Sequence, residues 1–257
     1  MNEGQGRRID LNCDLGESFG VYRLGEDEAI LADITSANIA CGYHAGDPHV
    51  MRRTVRSCLE LGIRIGAHPG LPDLQGFGRR YMQISGDEAY DWTVYQLGAL
   101  QAFVQAEGGV MQHIKPHGAL YNMAALRMDI AEGIAAAASH VQANLILYAP
   151  PGSQLEAAAQ KFGIQVAREA FADRRYMTDG SLAPRTQPGS VIANSEEAAA
   201  QALSLVMNNK VTTIEGGALP LTADTICLHS DGEHAASLIT AVRKALESAG
   251  VTLCALR

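Results

Sequence analysis

Short β-like runs alternate with amphipathic helical stretches along the chain, and that alternation confines it to α/β architectures built on a mostly parallel sheet. Predicted strands cover 9–15, 34–40, 63–67, 110–114, 145–149, 165–169 and 225–229, with a closing strand at 251–255. A helix is predicted over 48–61, with Asp47 as N-cap, Pro48 in the first turn, Gly62 at the exit and a buried stripe of Met51, Val55, Cys58 and Leu59. Ser85 with Glu88 forms a capping box opening a long helix that ends at Gly108 and Gly109, and its Trp92, Tyr95 and Ala99 read as helix core. An Ala-rich helix with no sharp start lies within 121–140. Ser153 with Glu156 forms a second capping box for a helix ending at Gly163. A long loop precedes a helix over 196–208. Residues 211–214, followed by Gly216 and Gly217, read as a hairpin arm, and a last helix starts near Glu233 and stops before Gly250. No composition shift or flexible linker divides the chain, so 1–257 is expected to be one domain. No GxGxxG follows the first strand and no GxxxxGK[ST] occurs, which favours a TIM-like (β/α) barrel over a doubly wound nucleotide-binding fold.

Composition narrows the partners. Lys plus Arg number 20 against 28 Asp plus Glu, a net charge of −8, which disfavours nucleic acid or an anionic membrane but not an anionic small substrate. No apolar run approaches the roughly 20 residues that span a bilayer. The stretch 1–8 is polar and no signal-peptide core follows it. The five cysteines are odd in number and lack CxxC or zinc-like spacing, so reduced thiols and a cytoplasmic location are expected.

In such barrels chemistry sits where strands end, and polar residues gather there repeatedly. They are Asn12, Asp14 and Glu17; Asn38, His44 and Asp47; His68 and Asp73; Lys115, His117 and Asn122; Glu169, Asp173 and Arg174; His229 and Asp231. Each has a plainer reading: Asp47 as a helix cap, a lone His as a hydrogen-bonded structural group, Cys13 and Cys41 as packed thiols, and His49, His140 and His234 as helix-surface residues. His44, His68 and His117 follow three different strands, and their recurrence on one rim points to a site.

The motifs at these positions resemble the LamB/YcsF family. The chain carries Asp10-Leu-Asn-Cys-Asp-Leu-Gly-Glu17, Asn38-Ile-Ala-Cys-Gly-Tyr-His-Ala-Gly-Asp-Pro48, Gly66-Ala-His-Pro-Gly70 with Gln75-Gly-Phe-Gly-Arg79, Lys115-Pro-His-Gly-Ala-Leu-Tyr-Asn122, Glu169-Ala-Phe-Ala-Asp-Arg-Arg-Tyr176 with Pro184-Arg185, and Thr225-Ile-Cys-Leu-His-Ser-Asp231, in family order. Ser230 stands where the family more often has Gly. The resemblance implies a seven-stranded TIM-like barrel related to glycoside hydrolase and deacetylase barrels. It also implies ATP-dependent opening of 5-oxoproline to L-glutamate, with ADP and phosphate formed, by an A-type subunit that works with subunits B and C.

That chemistry needs cations around phosphate, a base for water and donors for an oxyanion. The catalytic candidates are Asp14, Glu17, His44, His68, Lys115, His117 and Asp173. The substrate-binding candidates are Asn12, Asn38, Arg79, Asn122, Arg174, Arg185, His229 and Asp231. ATP, with or without Mg2+, is the expected cofactor, and no tightly held metal is expected. Two alternatives stay open: an ATP-independent metal amidohydrolase using Asp14 with two of the three histidines, and a non-catalytic lactam-binding subunit. The long loops 71–80 and 174–188 are the expected contacts to partner subunits.

Overall fold

The computed structural model of the chain describes residues 6–232 and 234–257. In chain order the strands are β1 (Arg8–Leu15), β2 (Ser36–Ala40), β3 (Arg64–His68), β4 (Met111–Ile114), β5 (Ile146–Ala149), β6 (Gln165–Phe171), β7 (Lys210–Thr212), β8 (Ala218–Pro220), β9 (Thr225–Leu228) and β10 (Thr252–Leu253). The helices are α1 (Asp27–Ile30), α2 (Pro48–Glu60), α3 (Gly86–Ala106), α4 (Gly118–Leu126), α5 (Met128–Val141), α6 (Gln154–Lys161), α7 (Ser195–Asn208) and α8 (Ala235–Ser248). Strands β1 to β6 pair in sequence, all parallel, and β9 pairs with both β6 and β1. The sheet therefore closes into a seven-stranded barrel, as expected.

Several local features follow from the sequence as read. Asp47 caps α2, its Oδ1 accepting from the His49 and Val50 amides. Ser85 and Glu88 form the full capping box of α3. Other features differ. The second capping box is half made: Ser153 Oγ accepts from the Glu156 amide, but the Glu156 carboxylate takes the Gly152 amide and the Arg168 guanidinium instead. The Ala-rich segment is two helices broken at Arg127, whose backbone is extended (φ −114°, ψ 113°). The expected closing strand is only the short β10, which pairs with β1 at Arg8 and Ile9, while β9 closes the barrel. Tyr95 is exposed and stacks on Tyr43; the buried stripe of α3 runs through Ala89, Thr93, Gln96, Leu97, Leu100 and Val104. The expected helix start at Glu233 lies outside the described residues. No helix among the described residues is long and apolar enough to cross a membrane.

Strand side chains alternate between the two faces of a sheet. Here the apolar set, Leu11, Cys13, Leu15, Ile39 and Ile65, belongs to the large core shared with the helices. The other set is polar and fills the barrel. At its floor, Asp10 accepts hydrogen bonds from the hydroxyls of Thr35 (2.6 Å), Ser36 (2.6 Å), Tyr148 (3.1 Å) and Thr225. Above it, Asn12 donates to Thr225 Oγ1 and accepts from Asn38, whose amide oxygen lies 2.8 Å from His113 Nε2. The His113 ring fits because residue 66 is glycine: a Cβ there would lie 2.1 Å from it.

Asp10→Ala is expected to leave buried hydroxyls without their acceptor and to lower the unfolding free energy by about 3 kcal/mol, read as a fall in urea midpoint at unchanged slope. Burial holds the Asp10 carboxyl above its ordinary range against the hydrogen bonds it accepts. Its contribution is therefore full below the ordinary carboxylate pKa and declines as pH rises through the raised value, so the loss is expected to be larger in acid than at neutral pH.

Candidate active site

All the inward-facing residues at the C-terminal ends of the barrel strands converge on one mouth. Asp14 is next to last in β1, His68 ends β3, Lys115 follows β4, Glu169 lies in β6 and His229 follows β9. Lys115 sits at the centre. Its buried Nζ lies 2.8 Å from Asp14 Oδ1, 2.9 Å from Cys227 Sγ and 3.1 Å from Glu169 Oε1. Burial alone would pull its pKa down, but Asp14, Cys227 and Glu169 together hold it well above the usual lysine value, so it is charged. Burial likewise opposes ionisation of Asp14, yet His68 and Lys115 hold its carboxyl well below the ordinary range. Glu17 is the opposite case: burial, reinforced by the Asp14 charge, pushes it well above. Two neighbouring carboxylates thus differ in proton affinity, the arrangement that separates acid from base roles.

Three imidazoles line the next layer. His68 Nδ1 lies 2.7 Å from the Lys115 carbonyl, and its Nε2 is 3.3 Å from Asp14 Oδ2 and 2.9 Å from His117 Nδ1. His117 Nε2 lies 2.8 Å from the Phe77 carbonyl. That carbonyl is presented by a backbone in the left-handed region, at Phe77 (φ 55°) and Gly78 (φ 60°), and for phenylalanine this conformation is a strained one. The His44 ring stacks on His117 at 3.7 Å, with its Nε2 3.5 Å from Glu17 Oε1. Gly70 makes room for it, since a Cβ there would lie 2.4 Å from His44 Nδ1. Burial pushes His44 and His117 well below the ordinary imidazole range.

Above this layer opens a cavity of about 350 Å³, near the lower end of the roughly 300–1,000 Å³ typical of small-molecule sites. Of the residues singled out in the sequence, Asp14, His68, Arg79, Lys115 and His117 line it, as do Asn122, Arg174, Arg185 and His229. The others stand behind these. Glu17 and His44 back His68 and His117. Asp231 pairs with Arg79 at 2.7 Å. Asp173 Oδ2 accepts from the His229 amide and lies 2.7 Å from its Nδ1, so it orients that ring rather than facing the cavity. Asn12 and Asn38 lie deeper; Asn38 donates to Asp14 Oδ1 at 2.8 Å. Sequence reasoning misses Cys227 and Tyr121 as site residues and finds Glu169 only as a strand-end residue. Cys227 shares the inward parity of Thr225 on β9, which is the available signal.

The loop after β6 folds over the mouth through short bridges, Arg174 with Val191 and Tyr176 with Leu182. It brings Arg174 and Arg185 to the cavity wall. Arg174 Nη2 donates to the Ala183 carbonyl, while Arg174 Nε and Arg185 Nη2 are buried with no hydrogen-bond partner. Burial and the neighbouring Arg185 lower Arg174 to about 10. Both residues line the cavity, and each keeps one buried donor without a partner.

The fold and site together define an α/β barrel protein with a cavity at the strand C-termini lined by charged and apolar side chains. The chain belongs to the LamB/YcsF family, whose model matches residues 9–257. It is 55% identical over 249 residues to a Brevibacillus brevis protein named as the A subunit of 5-oxoprolinase, covering 97% of this chain and 98% of that one. It is 52% identical over 249 residues to the Bacillus subtilis protein of the same name, with 97% of each covered. The crystal structure of the lactam utilization protein from Thermus thermophilus superimposes with a TM-score of 0.92 at 45% identity, covering 97% of this chain and 100% of that one. A putative cellobiose-phosphate cleavage protein from Enterococcus faecalis shares the fold alone (TM-score 0.57, 13% identity, 97% of each chain covered).

Burial alone would raise the Asp173 carboxyl, but His229 holds it below its ordinary range. Its stabilising contribution is therefore present above the ordinary carboxylate pKa and lost as pH falls through the depressed value. Asp173→Asn is expected to cost about 1–2 kcal/mol at neutral pH, and the gap to the wild type should close in acid. A gap independent of pH in chemical denaturation would show that the pairing with His229 is not charged.

Proposed function

We propose that this chain is the A-type subunit of a 5-oxoprolinase, opening 5-oxo-L-proline to L-glutamate with hydrolysis of ATP, in the cytoplasm and together with subunits B and C. The observation that carries this reading is one small cavity with two guanidiniums on its wall, each with an unpaired donor, and a buried Lys115–Asp14 pair at its floor. Arg174 and Arg185 suit the carboxylate of 5-oxoproline by two-point hydrogen bonding. Lys115 Nζ, already charged, suits the negative charge that develops on the lactam oxygen as water adds. Asp14, Glu17, His44, His68 and His117 form the group that handles the water and its proton.

An unstrained lactam is a poor electrophile. ATP, when bound, supplies a phosphoryl group that makes the ring carbon easier to attack. The partnerless donors of Arg174 and Arg185, with Arg79 beside them, fit a phosphoryl group as they fit a carboxylate. The naming of the relatives as A subunits supports a division of labour with B and C. Loops 71–80 and 174–188, which carry Arg79, Arg174 and Arg185, are the surfaces proposed to meet them.

The purified chain is expected to fold alone and to show no 5-oxoproline turnover, with or without ATP. Adding B and C should give glutamate coupled to ADP release. Asp14→Ala should lower turnover of that complex by about a hundredfold or more, with the complex still assembled on size-exclusion chromatography. Full ATP-dependent turnover by the lone chain would contradict the division of labour. Turnover without ATP would replace this reading with the metal amidohydrolase.

A further inference from the structure

When neutral, two imidazoles beside Asp14 present a hydrogen-bond conflict. The Lys115 carbonyl accepts only, so His68 carries its proton on Nδ1 and its Nε2 is bare when neutral. The Phe77 carbonyl likewise places the His117 proton on Nε2, leaving its Nδ1 bare. These two lone pairs face each other at 2.9 Å. Glu17 Oε1, buried and without a hydrogen-bond partner, lies 3.7 Å from the same His117 Nδ1. Both ring nitrogens of buried His44 also lack a partner. A proton on His68 Nε2, between His117 Nδ1 and Asp14 Oδ2 (3.3 Å), would reconcile the two rings but leave Glu17 Oε1 and both His44 nitrogens without a hydrogen bond. A metal cation satisfies Glu17 as well, and it opens a position for His44.

We propose that Glu17, His68 and His117 form a binding site for one divalent first-row transition ion, with His44 available as a fourth ligand. Ligand atoms of Glu17, His44, His68 and His117 all lie within 4.8 Å of one another. Ligand bonds of about 2.0–2.1 Å place two atoms on one ion roughly 3–4 Å apart; the 3.7 Å separation lies in that range and the 2.9 Å separation just below it, so the two rings part slightly around an ion. His44 is stacked on His117 with an interplanar angle of 3°, so it reaches the ion only by turning out of that stack. His68 and His117 each give their other ring proton to a backbone carbonyl, the outer-shell pattern of metal-bound histidine. Nitrogen-rich ligation with one carboxylate selects the zinc and cobalt class over magnesium or calcium. This revises the sequence-based expectation of no tightly held metal. It does not depend on the lactam reading, because it concerns ion binding by the chain itself.

The test uses the full chain, stripped with a chelator and titrated with Co2+ and then Zn2+. One equivalent of Co2+ is expected to bind with visible absorption bands, and Zn2+ should displace it. Glu17→Gln and His117→Gln are each expected to weaken Zn2+ binding at least about a hundredfold, at or beyond the upper end of outer-shell losses, whereas His49→Ala, on the exposed start of α2, should not. Absence of saturable binding, or binding unchanged in both site variants, would overturn the proposal. Should those variants fail to fold, X-ray absorption of the zinc-loaded wild type reads the ligands directly. Scattering from two or three imidazoles supports the site, and fewer than two overturns it.

Discussion

The buried ammonium of Lys115 organises the cavity end of this barrel. It contacts Asp14 of β1, Glu169 of β6 and Cys227 of β9, while its own backbone carbonyl orients His68 at the end of β3. One residue therefore ties four strands at the rim. Removing one partner of a buried pair costs about 3–5 kcal/mol, because the other charge is left uncompensated. Such an arrangement is a poor investment for stability alone, since apolar residues of similar volume do as well or better. Its value lies in fixing a positive charge and an ionised carboxylate at the floor of a cavity.

The barrel interior extends this logic downward. Ordinary (β/α) barrels fill their interior with branched apolar side chains. Here the axis holds a continuous polar column, Asp10, Thr225, Asn12, Asn38 and Asp14, linked by direct hydrogen bonds. The apolar driving force is displaced to the layer between strands and helices, where the large core lies. The column makes the orientation of Asp14 depend on residues far below the mouth. Small residues carry the same design: Gly66 admits His113 and Gly70 admits His44.

Much of this is legible in the sequence. Helix starts are marked by Asp47 and by Ser85 with Glu88, where side-chain caps are local and chemically specific. The break at Arg127 carries no Gly or Pro and is invisible. Glu156 matches the capping-box pattern, but Arg168 from a neighbouring strand competes for its carboxylate, and no local pattern contains that partner. The rim histidines stand out because strand ends are where such residues are costly to bury. The roles of Asp173, which orients His229, and of Asn12, which braces Asn38, depend on which face each side chain takes and on contacts between distant strands. Cys227 escapes notice because a cysteine in a strand reads as core; only its parity with Thr225 marks it as inward.

The central claim is that the cavity between Lys115 and the two arginines recognises a lactam bearing a carboxylate. Isothermal titration calorimetry of 5-oxoproline against 2-pyrrolidinone, the same ring without the carboxylate, tests it most directly on the wild type and on Arg174→Met and Arg185→Met. The expected result is binding of 5-oxoproline to the wild type, weakened about tenfold or more by either substitution, as loss of a charge-assisted hydrogen bond entails, and much weaker binding of 2-pyrrolidinone throughout. Equal affinity for both ligands, or 5-oxoproline binding indifferent to both arginines, would contradict it.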